Sequence, residues 1–154
     1  MPLIFRYHNS QAIMESIERF KDNASGIISD EQSGRAWLPK DSWQDLVKWQ
    51  NWDEVMQYIR LMNQAYAGGL TGWRLPSKEE GLSLFDTNLS HKDWQGEVIH
   101  IHPFFVEKCS TYIWIDDVNE AGQALHLDLR DGSLEYIDKT ERLHQAARLV
   151  CVRP

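Results

Sequence analysis

Gly72-Trp73-Arg74-Leu75-Pro76-Ser77-Lys78-Glu79-Glu80 is the stretch on which the architecture turns. Pro76 fixes its own φ and biases Leu75 towards an extended backbone, so an extended segment ends here. Ser77 reads as a helix N-cap, and Glu80, three residues on, completes a capping box. Trp73 needs a large apolar pocket with a partner for its indole N–H. Arg74 points the other way, towards backbone carbonyls or a carboxylate. The stretch is an architectural corner, not an active site.

Working outward, Asn51 is expected to cap a longer helix, with Glu54 in the capping-box position and Trp52, Val55, Met56, Ile59 and Met62 on its apolar side. Gly68-Gly69 is expected to end it as an αL cap. A short helix capped by Asp41 or Ser42 is expected within residues 41–50. The helix after Ser77 takes in Leu82, Leu84 and Phe85, and Gly81 weakens it by about 1 kcal/mol relative to alanine. Residues 26–38 read as a hairpin turning at Ser33-Gly34. Further strands are expected at Tyr112-Ile113-Trp114-Ile115, at Leu125–Leu129 and at Leu149–Val152, with Asp131-Gly132 as a turn. Residues 86–110 show little periodicity apart from an apolar run from Val98 to Val106, as expected of a long loop region. In residues 1–18, Leu3-Ile4-Phe5 with Tyr7 reads as a short strand. Ser10 caps a helix with Ile13, Met14 and Ile17 on its apolar face.

These features, in order, resemble the Lcl C-terminal domain family, named for a collagen-like bacterial adhesin and described as having a C-type-lectin-like fold. The resemblance runs from Arg19-Phe20-Lys21-Asp22-Asn23 through Gly26, Asp30, Gly34 with Trp37, Trp52 and the Trp73–Glu80 corner. It continues through Tyr112 and Trp114 to Arg148-Leu149-Val150-Cys151-Val152-Arg153. It implies an α+β C-type-lectin-like domain over residues 19–154: two helices packed on a twisted antiparallel sheet, with a long irregular loop region. Residues 1–18 would be an N-terminal addition docked on it. Trp37, Trp52, Trp73, Arg74, Tyr112, Trp114 and Arg153 would form the scaffold. Such domains commonly bridge the first helix to the last strand. Cys151 occupies the last-strand position, but Ile59 stands where its helix partner would be; two reduced thiols, Cys109 and Cys151, are expected, with a Cys109–Cys151 bridge as the alternative.

The bulk properties limit the function. The 154 residues suit one domain. Net charge is −7, from 16 Lys and Arg against 23 Asp and Glu, which disfavours nucleic acid and other strongly acidic partners. No apolar run approaches the roughly 18–20 residues of a membrane span, so no membrane partner is expected. The first residues lack the charged and apolar regions of a signal peptide, so a cytoplasmic protein is expected, or a secreted one if the chain is a processed fragment.

No catalytic pattern emerges. There is no G-x-S-x-G, no phosphate loop, and no cysteine with a histidine at helpful spacing. The chain is expected not to be an enzyme and to need no cofactor. The expected function is recognition of a protein partner, or membership of a larger assembly, through a face built from residues 87–111 and 115–123. The candidate ligand-binding residues are Trp94, His100, His102, Asp116, Asp117 and Arg130. His100 and His102, two apart, would share a face on a strand, but lack the further donors of a metal site, so no metal is expected. Asp116-Asp117 lacks the pattern of a calcium loop. Trp43 and Trp49 are the candidate partner contacts, since tryptophan is a favoured interface anchor. Adhesin-like glycan binding is the first alternative. A metal-dependent oxidase related to the formylglycine-generating fold is the second.

Overall fold

The computed structural model describes Gln11, Met14, Glu15 and residues 18–153. The strand expected at Leu3–Phe5 and the cap at Ser10 lie outside these residues. Met14, expected on an apolar docking face, is exposed. The order of elements is β1 (Phe20–Asp22), β2 (Ile28–Asp30), β3 (Arg35–Trp37), α1 (Ser42–Leu46), α2 (Trp52–Gln64), a 3-10 turn (Ala67–Gly69) and α3 (Lys78–Leu84). There follow β4 (His91–Lys92), β5 (Val98–Ile99), β6 (Tyr112–Val118), β7 (Ala124–Asp128), β8 (Leu134–Ile137), β9 (Gln145–Ala146) and β10 (Val150–Val152).

The class is mixed α+β, with a difference from the expected single sheet. The strands divide into two four-stranded sheets, ordered β1-β2-β3-β10 and β8-β7-β6-β9, and a separate β4-β5 hairpin. Pairing is antiparallel except for β6 with β9. β9 and β10 come from one short run of chain yet join different sheets, so the C-terminal segment stitches the two together.

Each of α1, α2 and α3 starts on a reciprocal capping box, Asp41 with Gln44, Asn51 with Glu54 and Ser77 with Glu80. Each satisfies two otherwise unpaired backbone donors. α2 ends at Gln64, one turn before Gly68-Gly69, which lie in the 3-10 turn instead. Gly81 has a packing reason: a Cβ there would come within 2.5 Å of Ile115 Cδ1. The helix gives up propensity so that α3 can lie close against β6.

The interior has two layers. Phe20, Ile28, Trp37, Ile99, Ile101, Phe105, Ile113, Ile115 and Leu127 form one. Val55, Tyr58, Trp73, Leu75, Trp114 and Leu149 form the other. The alternation of β6 sends Ile113 and Ile115 into the first and Trp114 into the second, as a strand buried on both faces must. Cys109 lies in the first layer and Cys151 in the second, and both are free thiols.

Three expectations need correction. Residues 86–110 are not a free excursion, because Leu89, Ile99, Ile101, Phe105 and Cys109 from this segment are all buried. Arg153 is not part of an interior scaffold: it is exposed and pairs with Glu31 at 3.7 Å, and the buried arginine of the C-terminal run is Arg148. Trp52, expected in the core, is half-buried, with Lys139 over its ring.

Candidate functional site

Below the surface that carries Trp43, one buried carboxylate ties together three distant parts of the chain. Asp41 caps α1 by accepting from Gln44 N at 2.9 Å, and its other oxygen accepts from Ser110 N at 2.7 Å. Arg148 lies 3.6 Å from that same oxygen, both side chains fully buried, with its guanidinium 4.7 Å over the Phe105 ring. Burial pushes the Asp41 carboxyl up, with Arg148 and the two backbone donors opposing it.

A second buried carboxylate sets the β4-β5 hairpin. Asp93 Oδ1 accepts from Gln95 N and Glu97 N at 2.9 and 2.8 Å, and Oδ2 accepts from Thr111 Oγ1 at 2.6 Å. With Asp93 held inward, strand alternation turns Lys92 and Trp94 outward. Trp94 N donates to Cys109 O at 2.8 Å, which fixes the turn against the central segment.

These two hubs converge four rings on one surface. Trp43 stacks on Trp49 with centroids 4.1 Å apart and planes at 10°. Trp49 meets Trp94 edge-on at 5.3 Å, and His144 closes the group at 4.8 Å from Trp94 and 5.3 Å from Trp49. All four rings are half-buried. None of the three indole N–H groups has a hydrogen-bond partner among the described residues. Beside the rings, Val47 is 74% exposed and Leu143 65% exposed. Together with Trp43 and Trp49 they line an open depression of about 650 Å³.

Val47 is the unusual member. It closes α1 in the left-handed conformation, at φ 54°. A β-branched residue there pays a steric penalty that glycine would avoid. It gains nothing from burial in return.

The polar edge of the depression is already engaged. Glu54 accepts from Asn51 N at 3.0 Å and from Arg142 Nε at 2.7 Å, with Lys48 Nζ at 3.6 Å. Partial desolvation works against it, but the Asn51 N–H and the Arg142 guanidinium hold this carboxyl below its usual range.

Of the residues singled out from the sequence, Trp43, Trp49 and Trp94 are thus brought together. Arg130 stands at the far side of the same hairpin, where Glu97 Oε2 lies 3.4 Å away. Its guanidinium is bound to Asp128 at 2.9 Å and to Tyr112 OH at 2.7 Å, and Tyr112 stacks on His126 at 4.6 Å. His100 and His102 lie beyond the end of β5 and do not share a strand face. His100 Nδ1 lies 2.7 Å from Leu89 O, with its ring against Phe85. His102 is buried between Phe20 and Phe104 and accepts from Phe104 N. Asp116 and Asp117 sit at the other end of β6, where Asp116 N donates to Pro76 O and Asp117 accepts from Tyr136 OH. His144 is the member that sequence reasoning missed. Its only signal was Leu143, an apolar residue stranded after the polar run 138–142.

Among the described residues, no group of three or more His, Cys, Asp or Glu is placed to hold a metal ion, and no helix is long and apolar enough to cross a membrane. The Cys109 thiol is pushed up to about 11 by burial. The molecule is therefore an α+β domain with a densely bonded interior and one aromatic surface left partly open. The sequence model of the Lcl C-terminal domain family matches residues 26–153, and the chain belongs to that family. Membership suggests an adhesin-like C-terminal domain. Neither a curated protein nor a solved structure matches the chain.

Proposed function

We propose that this domain is a non-catalytic recognition module of C-type-lectin-like fold that binds a protein partner through the Trp43–Trp49–Trp94–His144 surface. The observation that carries it is the convergence of four rings from three chain segments beside two exposed aliphatic side chains, one of them in a backbone conformation unfavourable to it. Burying Val47 and Leu143 would contribute roughly 1.5–3 kcal/mol each. An aromatic centre with free indole donors and an aliphatic margin is the anatomy of an interface hot spot.

The chemistry favours protein over glycan. Sugar hydroxyls need acceptors as well as donors, and of Glu54, the carboxylate lining the depression, Oε1 is taken by Asn51 N and Arg142 Nε while Oε2 faces Lys48 Nζ at 3.6 Å. The C-type-lectin-like assignment draws support from β10, the last strand, which returns to the sheet that β1 opens. The non-catalytic reading draws support from the thiols, which are buried in separate core layers.

The test sets a random-peptide display library against a glycan array, both with the wild type and with Trp94→Ala. Peptide binding that the substitution removes, with Tm lowered by no more than about 8 °C, supports the proposal. Saturable glycan binding that the substitution removes, with no peptide selected, replaces it with the adhesin-like alternative.

A further inference from the structure

The tryptophans divide by what their indole N–H groups meet. Trp73 and Trp114 are buried, and both donate to main-chain carbonyls. Trp73 Nε1 reaches Ala67 O and Leu70 O at 3.0 and 3.1 Å, and Trp114 Nε1 reaches Gln50 O at 3.0 Å. Trp43, Trp49 and Trp94 are half-buried, and their indoles donate to no partner among the described residues. Among those residues, the indole nitrogen that is both unpartnered and closed to solvent belongs to Trp37. The three surface donors are therefore open to a ligand.

Charge does not select the occupant. Lys40, Lys48, Lys92, Lys108 and Arg142 are interspersed here with Asp45, Glu54, Glu107 and Glu141, and Lys48 and Arg142 already pair with Glu54. What distinguishes the centre is its hydrogen bonding. It presents indole donors, while the carboxylate beside them, Glu54, is engaged. Trp43 and Trp49 also spend one ring face each on the other, which leaves less open face for a sugar ring to stack on.

Resting on the reading of the aromatic surface as a protein-binding site, we infer that the occupant is a proline-rich segment in the polyproline II conformation. That helix makes no internal hydrogen bonds, so its carbonyls are free to accept from the indoles. Proline has no N–H, so the segment brings few donors of its own to a surface whose carboxylate is taken. An α-helix spends its carbonyls internally and would bury the indole donors unpaired, at a cost. With three residues per turn and a rise of about 3.1 Å, prolines at every third position line one edge roughly 9 Å apart. Their rings pack on the Trp49–Trp94 pair and against the exposed Val47 and Leu143. Fixed φ means that little conformational entropy is lost on docking, which suits an open, shallow site.

The experiment titrates decaproline into the isotope-labelled protein and follows the indole N–H resonances, with an alanine-rich helical peptide of the same length as control. Trp43→Phe, Trp49→Phe and Trp94→Phe each keep a ring, remove the donor and assign one resonance, and circular dichroism confirms that each variant is folded. Decaproline should shift the resonances of Trp43, Trp49 and Trp94 and leave those of Trp73 and Trp114 in place. The helical peptide should shift none. Each Phe variant should bind decaproline about tenfold more weakly, a readable change of about 1.4 kcal/mol. Decaproline binding that the Phe variants retain, or that the helical peptide matches, overturns the inference and leaves the binding surface standing. So does the absence of any response to decaproline where a displayed peptide still binds and Trp94→Ala releases it. No response to decaproline and no such peptide overturns both readings, as does a glycan that takes the surface in their place.

Discussion

Trp73 and Trp94 both sit on turns, and they are treated in opposite ways. Trp73 is 2% exposed, and its indole N–H donates to Ala67 O and Leu70 O at 3.0 and 3.1 Å. Asn63 holds its backbone on both sides, accepting from Trp73 N and donating to Trp73 O. Arg74 binds both oxygens of Glu80, at 2.7 and 2.9 Å, and Glu80 also takes Arg35 and Ser77 N. Around Trp94 the reverse holds: the ring is half-open, its N–H has no partner among the described residues, and its neighbours are further rings. One tryptophan has every interaction filled from within. The other keeps capacity that folding does not use, on the half-open surface proposed above for recognition.

The sharpest way to break the comparison is to truncate the corner. Trp73→Ala removes a fully packed indole and should destabilise the fold by about 3–5 kcal/mol in chemical denaturation. A cost near that of a half-exposed ring would mean the corner is not the structural keystone. Next comes Glu80→Gln, expected to cost about 2 kcal/mol through the loss of charge-assisted bonds. Glu80 also sets a pH dependence. The paired bonds from Arg74, against partial desolvation, hold its carboxyl down to about 2 from an ordinary 4.5. A lowered carboxylate contributes stability that is fully present above its unfolded value and is lost as pH falls towards its folded one. Stability of the wild type should therefore decline between pH 4.5 and about 2, and Glu80→Gln should flatten that decline in urea titrations.

The smallest expected effect has the opposite sign. Val47→Gly relieves a left-handed valine and should stabilise the fold by about 0.5–1 kcal/mol while weakening partner binding. A destabilised variant would show that Val47 serves the fold rather than the surface.

What the sequence disclosed follows the range of the interactions concerned. The capping boxes at Asn51 and Ser77 are decided within four residues, so both were legible, whereas the first helix left its cap open between Asp41 and Ser42 and the structure settles it as a box of Asp41 with Gln44. The Trp73 corner was legible because its proline, cap and box lie within five residues, while the carboxylate that Arg74 binds, Glu80, was left open. Three tryptophans of the surface were recognised as candidates by residue type. Their assembly was not, because it depends on Asp41 meeting Ser110 and Arg148, a long-range event with no local signature. The segment 86–110 misled for a related cause. Its inward residues Ile99, Ile101 and Phe105 follow no sustained period, because the chain turns sharply between them. His144 joins the rings at a backbone φ of 64°, a conformation that residue type alone does not announce.

The proposed recognition surface draws its parts from α1, the β4-β5 turn and the approach to β9, and the buried Asp41–Arg148 strut joins α1 to the segment before β10. Such a surface is a conformational epitope in the immunological sense. No excised peptide of this chain should mimic it or compete with it, and antibodies raised against the denatured chain should pass over it. Its presence would report directly that the polypeptide has reached its native state.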